Sequence, residues 1–176
     1  MTTEALPDFP YHPDPVATGV VTQAEAICDV CGQRREWLYI GPFYAREEPE
    51  HLCPWCVADG RAAARYSGGF HDASFDDSAS PESVEAVLTC TPGFSTWNPI
   101  FWPDHHGECC AYLGDLVPDR RPELLEDASI QEELARIARE WQTSVKDVLG
   151  GADESGPLTL FQCRTCGAYQ ISLDFS

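Results

Sequence analysis

Three Cys-x2-Cys pairs, Cys28/Cys31, Cys53/Cys56 and Cys163/Cys166, restrict what this chain can fold into more than any other feature. Two residues between cysteines let a tight turn aim both sulfurs at one point. A tetrahedral zinc ion takes two such turns, with metal–sulfur bonds of about 2.3 Å. The first two pairs are separated by 21 residues, a spacing that suits one four-cysteine site. Gly32 after Cys31 and Gly167 after Cys166 supply the backbone freedom that such turns require.

Cys53-Pro-Trp-Cys56 also invites a redox reading, because thioredoxin-type dithiols have this form. Those motifs belong beside a βαβ unit, and no such unit precedes this one. Metal is the better account. The nine cysteines are an odd number, so a complete disulfide framework cannot use them all.

Cys163/Cys166 needs two further ligands, and His105-His106-Gly107-Glu108-Cys109-Cys110 is the other concentration of candidates. A four-residue offset can place two side chains on one face of a helical turn. The expected second site is therefore His106, Cys110, Cys163 and Cys166, with His105 and Cys109 as substitutes. The bland alternative makes Cys109 or Cys110 a small buried residue, as expected for the isolated Cys90. Were His106 not a ligand, His105, Glu108 and Asp104 would form an acid–base cluster suited to zinc-dependent hydrolysis. His12 reads as a packing or hydrogen-bonding residue, His51 as a donor to a metal-bound sulfur, and His71 as exposed in an acidic loop.

Residues 1–26 read as an extended strap restricted by Pro7, Pro10, Pro13 and Pro15, with Phe9 and Tyr11 as anchors. The segment 27–66 holds the first knuckle pair, a strand at Trp37–Ile40 and Ala-rich helical sequence after Cys53. Ser80 caps a short helix that has Pro81 at its first position. Thr91-Pro-Gly-Phe94 is a turn, and an aromatic segment with Trp97, Phe101 and Trp102 follows. Residues 90–176 carry the second site, a helical pattern over 122–141 broken near Ser129, a loop over 150–157 and a hairpin over 158–173. With 13 Gly and 14 Pro, long helices should not dominate. The expected class is α+β: one small, irregular, zinc-stabilised domain over 1–176, with zinc-ribbon-like knuckles, a few helices and a C-terminal hairpin.

The formal charge of -18, from 11 basic and 29 acidic residues, argues against direct nucleic-acid binding and against an anionic membrane surface. Tyr66 to Asp119 holds nine Asp or Glu and no Lys or Arg. Such a stretch is a solvated face or, more sharply, a surface for a basic protein partner. No signal segment and no apolar run long enough for a membrane span is visible, so a cytoplasmic location is expected.

Leu6-Pro-Asp-Phe-Pro-Tyr-His-Pro-Asp-Pro-Val-Ala-Thr-Gly19, Gly41-Pro-Phe-Tyr44, Cys53-Pro-Trp-Cys-Val-Ala-Asp-Gly60, Thr91-Pro-Gly-Phe94 and Cys163-x2-Cys-Gly167 together resemble the bacterial CbrC family. The resemblance runs over nearly the whole chain in the same order. It implies association with tolerance to a nuclease colicin, with no established biochemical activity. Relatives carry His-Cys-Gly-Asp-x-Cys where this chain has residues 105–110, which sets His106 on a Cys position and Cys110 on the retained Cys. The reading is a binding or protective protein holding two Zn²⁺ ions, with the zinc-dependent hydrolase as its alternative.

Overall fold

The computed structural model describes residues 4–96, 98–117, 121–151 and 158–173. Trp97, Asp119 and residues 152–157 of the expected loop lie outside them. The chain is a mixed α+β protein of short helices and small sheets. Its contacts gather into two compact units, residues 1–72 with 80–95, and residues 73–79 with 96–176.

In the first unit, β1 (Val21–Ile27) pairs antiparallel with β2 (Arg34–Tyr39), with a bulge between Gln23 and Ala26. The strap is shorter than expected: residues 21–26 belong to β1, which begins at Val21. Phe9 and Tyr11 are buried as anchors, and His12 is buried completely. Its Nδ1 donates to the Pro92 carbonyl at 2.7 Å, and its Nε2 meets the Thr18 hydroxyl at 2.6 Å. Three helices complete the unit: α1 (Pro54–Ala58), α2 (Arg61–Tyr66) and α3 (Pro81–Cys90). The Ser80 hydroxyl caps α3 by accepting the Ser83 amide.

The Gly41-Pro42 and Pro92-Gly93 turns meet through one tyrosine. Tyr39 donates its hydroxyl to the Pro42 carbonyl and accepts the Gly93 amide at 3.0 Å. At Gly93 a Cβ would sit 2.0 Å from the Phe70 carbonyl oxygen, so only glycine admits this approach. His71, expected to be exposed, is instead buried with its ring edge on Phe94. The acidic loop begins only after it, at Asp72.

In the second unit, β3 (Ala73–Phe75) pairs parallel with β4 (Ile100–Trp102). A minimal hairpin joins β5 (Asp104–His105) to β6 (Glu108–Cys109). The main sheet runs in the order β7 (Ala111–Asp115), β8 (Leu158–Gln162), β9 (Tyr169–Leu173), all antiparallel. A 3₁₀ turn over Pro122–Glu126 leads to α4 (Ala128–Glu140), and α5 (Val145–Gly151) follows. The expected break falls at Asp127, whose carboxylate caps α4 through the Ser129 and Ile130 amides.

The core of this unit is Leu116, Leu124, Ile130, Leu134, Ile137, Leu158, Leu160 and Ile171. Burial of each side chain stabilises by about 1.5–3 kcal/mol. The outer edge of β9 is covered by α4. Ser129 Oγ accepts the Tyr169 amide at 2.9 Å, and the buried Glu133 carboxylate accepts the Ile171 amide at 3.1 Å. Arg136 answers the Glu133 charge at 3.0 Å. These contacts leave no bare edge there for another strand to join.

Candidate metal centres

The two glycine-ended Cys-x2-Cys turns are the same structure made twice. In the first, the Cys28 carbonyl accepts the Gly32 amide at 2.8 Å, and the Cys28 amide donates to Gln33 at 3.0 Å. In the second, the Cys163 carbonyl accepts the Gly167 amide at 3.0 Å, and the Cys163 amide donates to Ala168 at 2.8 Å. Gly32 and Gly167 hold φ values of +69° and +77°, so each glycine ends its turn in the left-handed region.

Within such a turn, amides are left pointing at the first sulfur. The Thr165 and Cys166 amides donate to Cys163 Sγ at 3.4 and 3.5 Å. Burial pushes the Cys163 thiol up, but these donors prevail and hold it at about 7. Cys28 is held at about 4, chiefly by the Cys53 thiol that donates to it, with the Cys31 and Val30 amides helping against burial. Cys53 is pushed up as the proton holder of that pair. Cys56 is pushed up to about 12 by burial first. A thiolate already favoured in each glycine-ended turn is what a cation needs to find.

The first donor group is Cys28, Cys31, Cys53 and Cys56, whose sulfurs all lie within 4.8 Å of one another. Cys28 to Cys56 is 3.8 Å, and Cys31 to Cys53 is 3.9 Å. Tetrahedral bonds of about 2.3 Å set neighbouring sulfurs about 3.8 Å apart, so the group fits a zinc-sized ion. A disulfide, at about 2.05 Å, does not fit those distances. Cys28, Cys53 and Cys56 are fully buried. Cys28 and Cys31 come from the turn that follows β1, while Cys53 and Cys56 flank the first turn of α1. The two turns are tied by backbone: the Asp29 amide donates to His51 O at 2.9 Å, and the His51 amide to the Asp29 carboxylate at 2.9 Å. The contribution found for His51 is therefore through its main chain.

The second donor group is His105, His106, Cys163 and Cys166, again within 4.8 Å. Cys166 Sγ lies 3.4 Å from His105 Nδ1, close to the roughly 3.6 Å edge of a mixed sulfur–nitrogen tetrahedron. The structure brings His106, Cys163 and Cys166 together and adds His105, the substitute ligand. Cys110 lies outside the four. Residues 104–109 form a β-hairpin, where the argument for Cys110 required a helical turn. The hairpin turns at His106 and Gly107, with φ +59° and +76°, and these positive values at both turn positions suit a two-residue hairpin. That turn carries both imidazoles to the knuckle, their ring centres 4.1 Å apart.

Cys110, fully buried, begins the next segment, where its amide donates to Pro103 and its carbonyl accepts the Trp102 indole at 2.9 Å. Burial pushes its thiol up to about 12, with Cys163, Asp104, Cys109 and Cys166 adding to the effect. Cys109 is buried as well, and Cys90 is half-buried. Around the second group, Glu108 pairs with Arg164, and Asp104 accepts the Ser78 hydroxyl at 3.0 Å. Both groups could hold a metal ion. The first is enclosed, whereas His106 and Cys166 of the second are exposed.

The family model described as Uncharacterised protein family (UPF0167) matches residues 6–175. The chain belongs to UPF0167. UPF0167 proteins of Mycobacterium bovis and Mycobacterium tuberculosis are each 37% identical to it over 186 residues, covering 99% of this chain and 96% of their own length. A UPF0167 protein of Pseudomonas aeruginosa is 34% identical over 177 residues, covering 97% of this chain and 98% of its own. No solved structure matches. Among the described residues no helix is long and apolar enough to cross a membrane.

Proposed function

We propose that both donor groups hold zinc as structural ions, and that this UPF0167 chain is a cytoplasmic binding protein whose acidic surface receives a basic protein partner. The observation that carries the reading is the donor geometry. Each group offers four protein ligands whose donor atoms all lie within 4.8 Å of one another, which suits a filled, structural coordination shell. Of the acidic residues in the cation-free stretch, Asp72, Asp76, Asp77, Glu82, Glu85 and Asp115 are exposed, which suits long-range attraction of a cationic protein. We take UPF0167 and the CbrC resemblance to describe one family, and the implied colicin tolerance then points to a nuclease domain as the basic partner.

The hydrolase alternative needs an open metal position and a free carboxylate. Four donors filling the second group argue against the first requirement, and the engagement of Glu108 by Arg164 argues against the second. The test is binding to a purified colicin-type nuclease domain at low and high salt, by calorimetry. Saturable binding is expected, weakened at least tenfold by reversing Asp76, Asp77, Glu82 and Glu85 to Lys. Binding that ignores both salt and charge reversal, or no binding at all, would overturn the partner reading.

A further inference from the structure

Basic residues are scarce here, yet Arg34 and Arg35 line one cavity of about 200 Å³ with Glu4, Glu36, Trp37 and Trp55. The cavity is built on the first metal knuckle, because Trp55 stands between Pro54 and Cys56. The Arg35 guanidinium carbon lies 4.4 Å over the Trp55 ring centre. Its side chain is only 13% exposed. An arginine held over an indole and largely withdrawn from water has restricted freedom for its N–H fork, which suits a planar carboxylate.

A carboxylate already sits there. Glu4, on the strap, pairs with Arg35 through Nη1. Two further donors, Arg35 Nε and Trp37 Nε1, are cut off from solvent and have no hydrogen-bond partner among the described residues. Arg35 also reaches the Cys31 sulfur, so what Glu4 leaves unused is Arg35 Nε and the neighbouring indole N–H. Buried donors without acceptors are costly, so a ligand that reaches them gains interactions the resting protein lacks. Arg34 is engaged elsewhere, with Glu25 at 2.8 Å. Arg35 is the anchor.

We propose that this cavity binds a small carboxylate carried on a flat ring, and that Glu4 is its tethered competitor. The carboxylate takes Arg35 Nε, the Trp37 indole N–H supplies a further donor, and the flat ring fills the rest of the cavity. A volume of this size admits on the order of ten heavy atoms. The reading stands whichever metal occupies the knuckle below, provided that the knuckle is ordered and holds Trp55 in place.

Benzoate, with benzamide as its neutral counterpart, is the probe. The readout is the ¹H–¹⁵N signals of the Trp37 indole and Arg35 Nε in the metal-loaded protein. Benzoate should shift both signals saturably. Because a tethered group competes at an effective concentration of order millimolar, Glu4→Gln should tighten benzoate about tenfold. Benzamide should shift neither signal, and Arg35→Lys should weaken benzoate at least tenfold at unchanged metal content. Absence of a saturable response in Glu4→Gln, or equal affinity for benzamide, would overturn the proposal. So would undiminished binding in Arg35→Lys. Should that variant fail to fold, the Glu4→Gln and benzamide comparison decides by itself.

Discussion

Cys28 Sγ stands 3.8 Å from Cys56 Sγ, far beyond a disulfide bond and at the edge length of a zinc–thiolate tetrahedron. These two residues belong to different turns, 28 positions apart in sequence. A metal held between them would close the β1–β2 hairpin onto α1. Stability and metal binding are then one quantity, because a site assembled only in the folded state contributes its binding energy to folding.

Cys28→Ser and Cys56→Ser should therefore destabilise the first unit rather than merely lower its affinity for metal. A drop in melting temperature of about 10 °C or more is expected for each, from the loss of several kcal/mol. Thermal unfolding followed by circular dichroism reads it. Unchanged melting in both variants would remove the structural role.

The second group has two exposed ligands, so a chelator should strip it before the enclosed first group. Release measured with a zinc indicator should show two phases of equal amplitude. His105→Ala and Cys166→Ser should each abolish the fast phase, whereas Cys110→Ala should keep it. Retention in His105→Ala with loss in Cys110→Ala would reassign the ligand.

His12 carries a pH dependence of definite sign. Burial holds its imidazole at about 4, below its ordinary 6.5, although the Pro92 carbonyl and Asp14 favour the charged form. The unfolded chain thus binds the proton first. Stability is fully present above pH 6.5 and falls as pH drops toward 4, by about 3 kcal/mol from this residue. His12→Gln should flatten that part of the profile, measured by urea unfolding at several pH values. A slope identical to the wild type would show that the buried ring does not titrate this way.

Gly93→Ala sets a Cβ 2.0 Å from the Phe70 carbonyl oxygen, and should cost about 3 kcal/mol or more in urea unfolding. Gly150→Ala, exposed on α5 with open space around it, should be neutral or stabilising by under about 1 kcal/mol. Equal effects from the two would mean that the turns do not meet as described.

Much of this was legible because local chemistry enforces it. Ser80-Pro81 starts α3, Asp127 marks the break before α4, and the glycine after each knuckle ends its turn. Cys-x2-Cys spacing identified the first group for the same reason. What failed to show depends on pairing at a distance. β1 was hidden in a strap defined by its prolines, although Val20 and Val21 are buried there. The strands flanking His106-Gly107 are two residues each, too short for an alternating pattern to distinguish a hairpin from the helical turn that the Cys110 offset suggests. Nothing local marks Glu133 for burial, which depends on the β9 amide of Ile171. The burial of His71 likewise depends on Phe94, 23 residues away.

If both donor groups are filled by structural ions, metal and fold come together in one stoichiometry. Elemental analysis of the purified chain, set against protein concentration from amino-acid analysis, tests it most directly. Two zinc ions per chain are predicted. A chain that is folded and cooperative in its melting, yet carries no bound metal, would contradict the account.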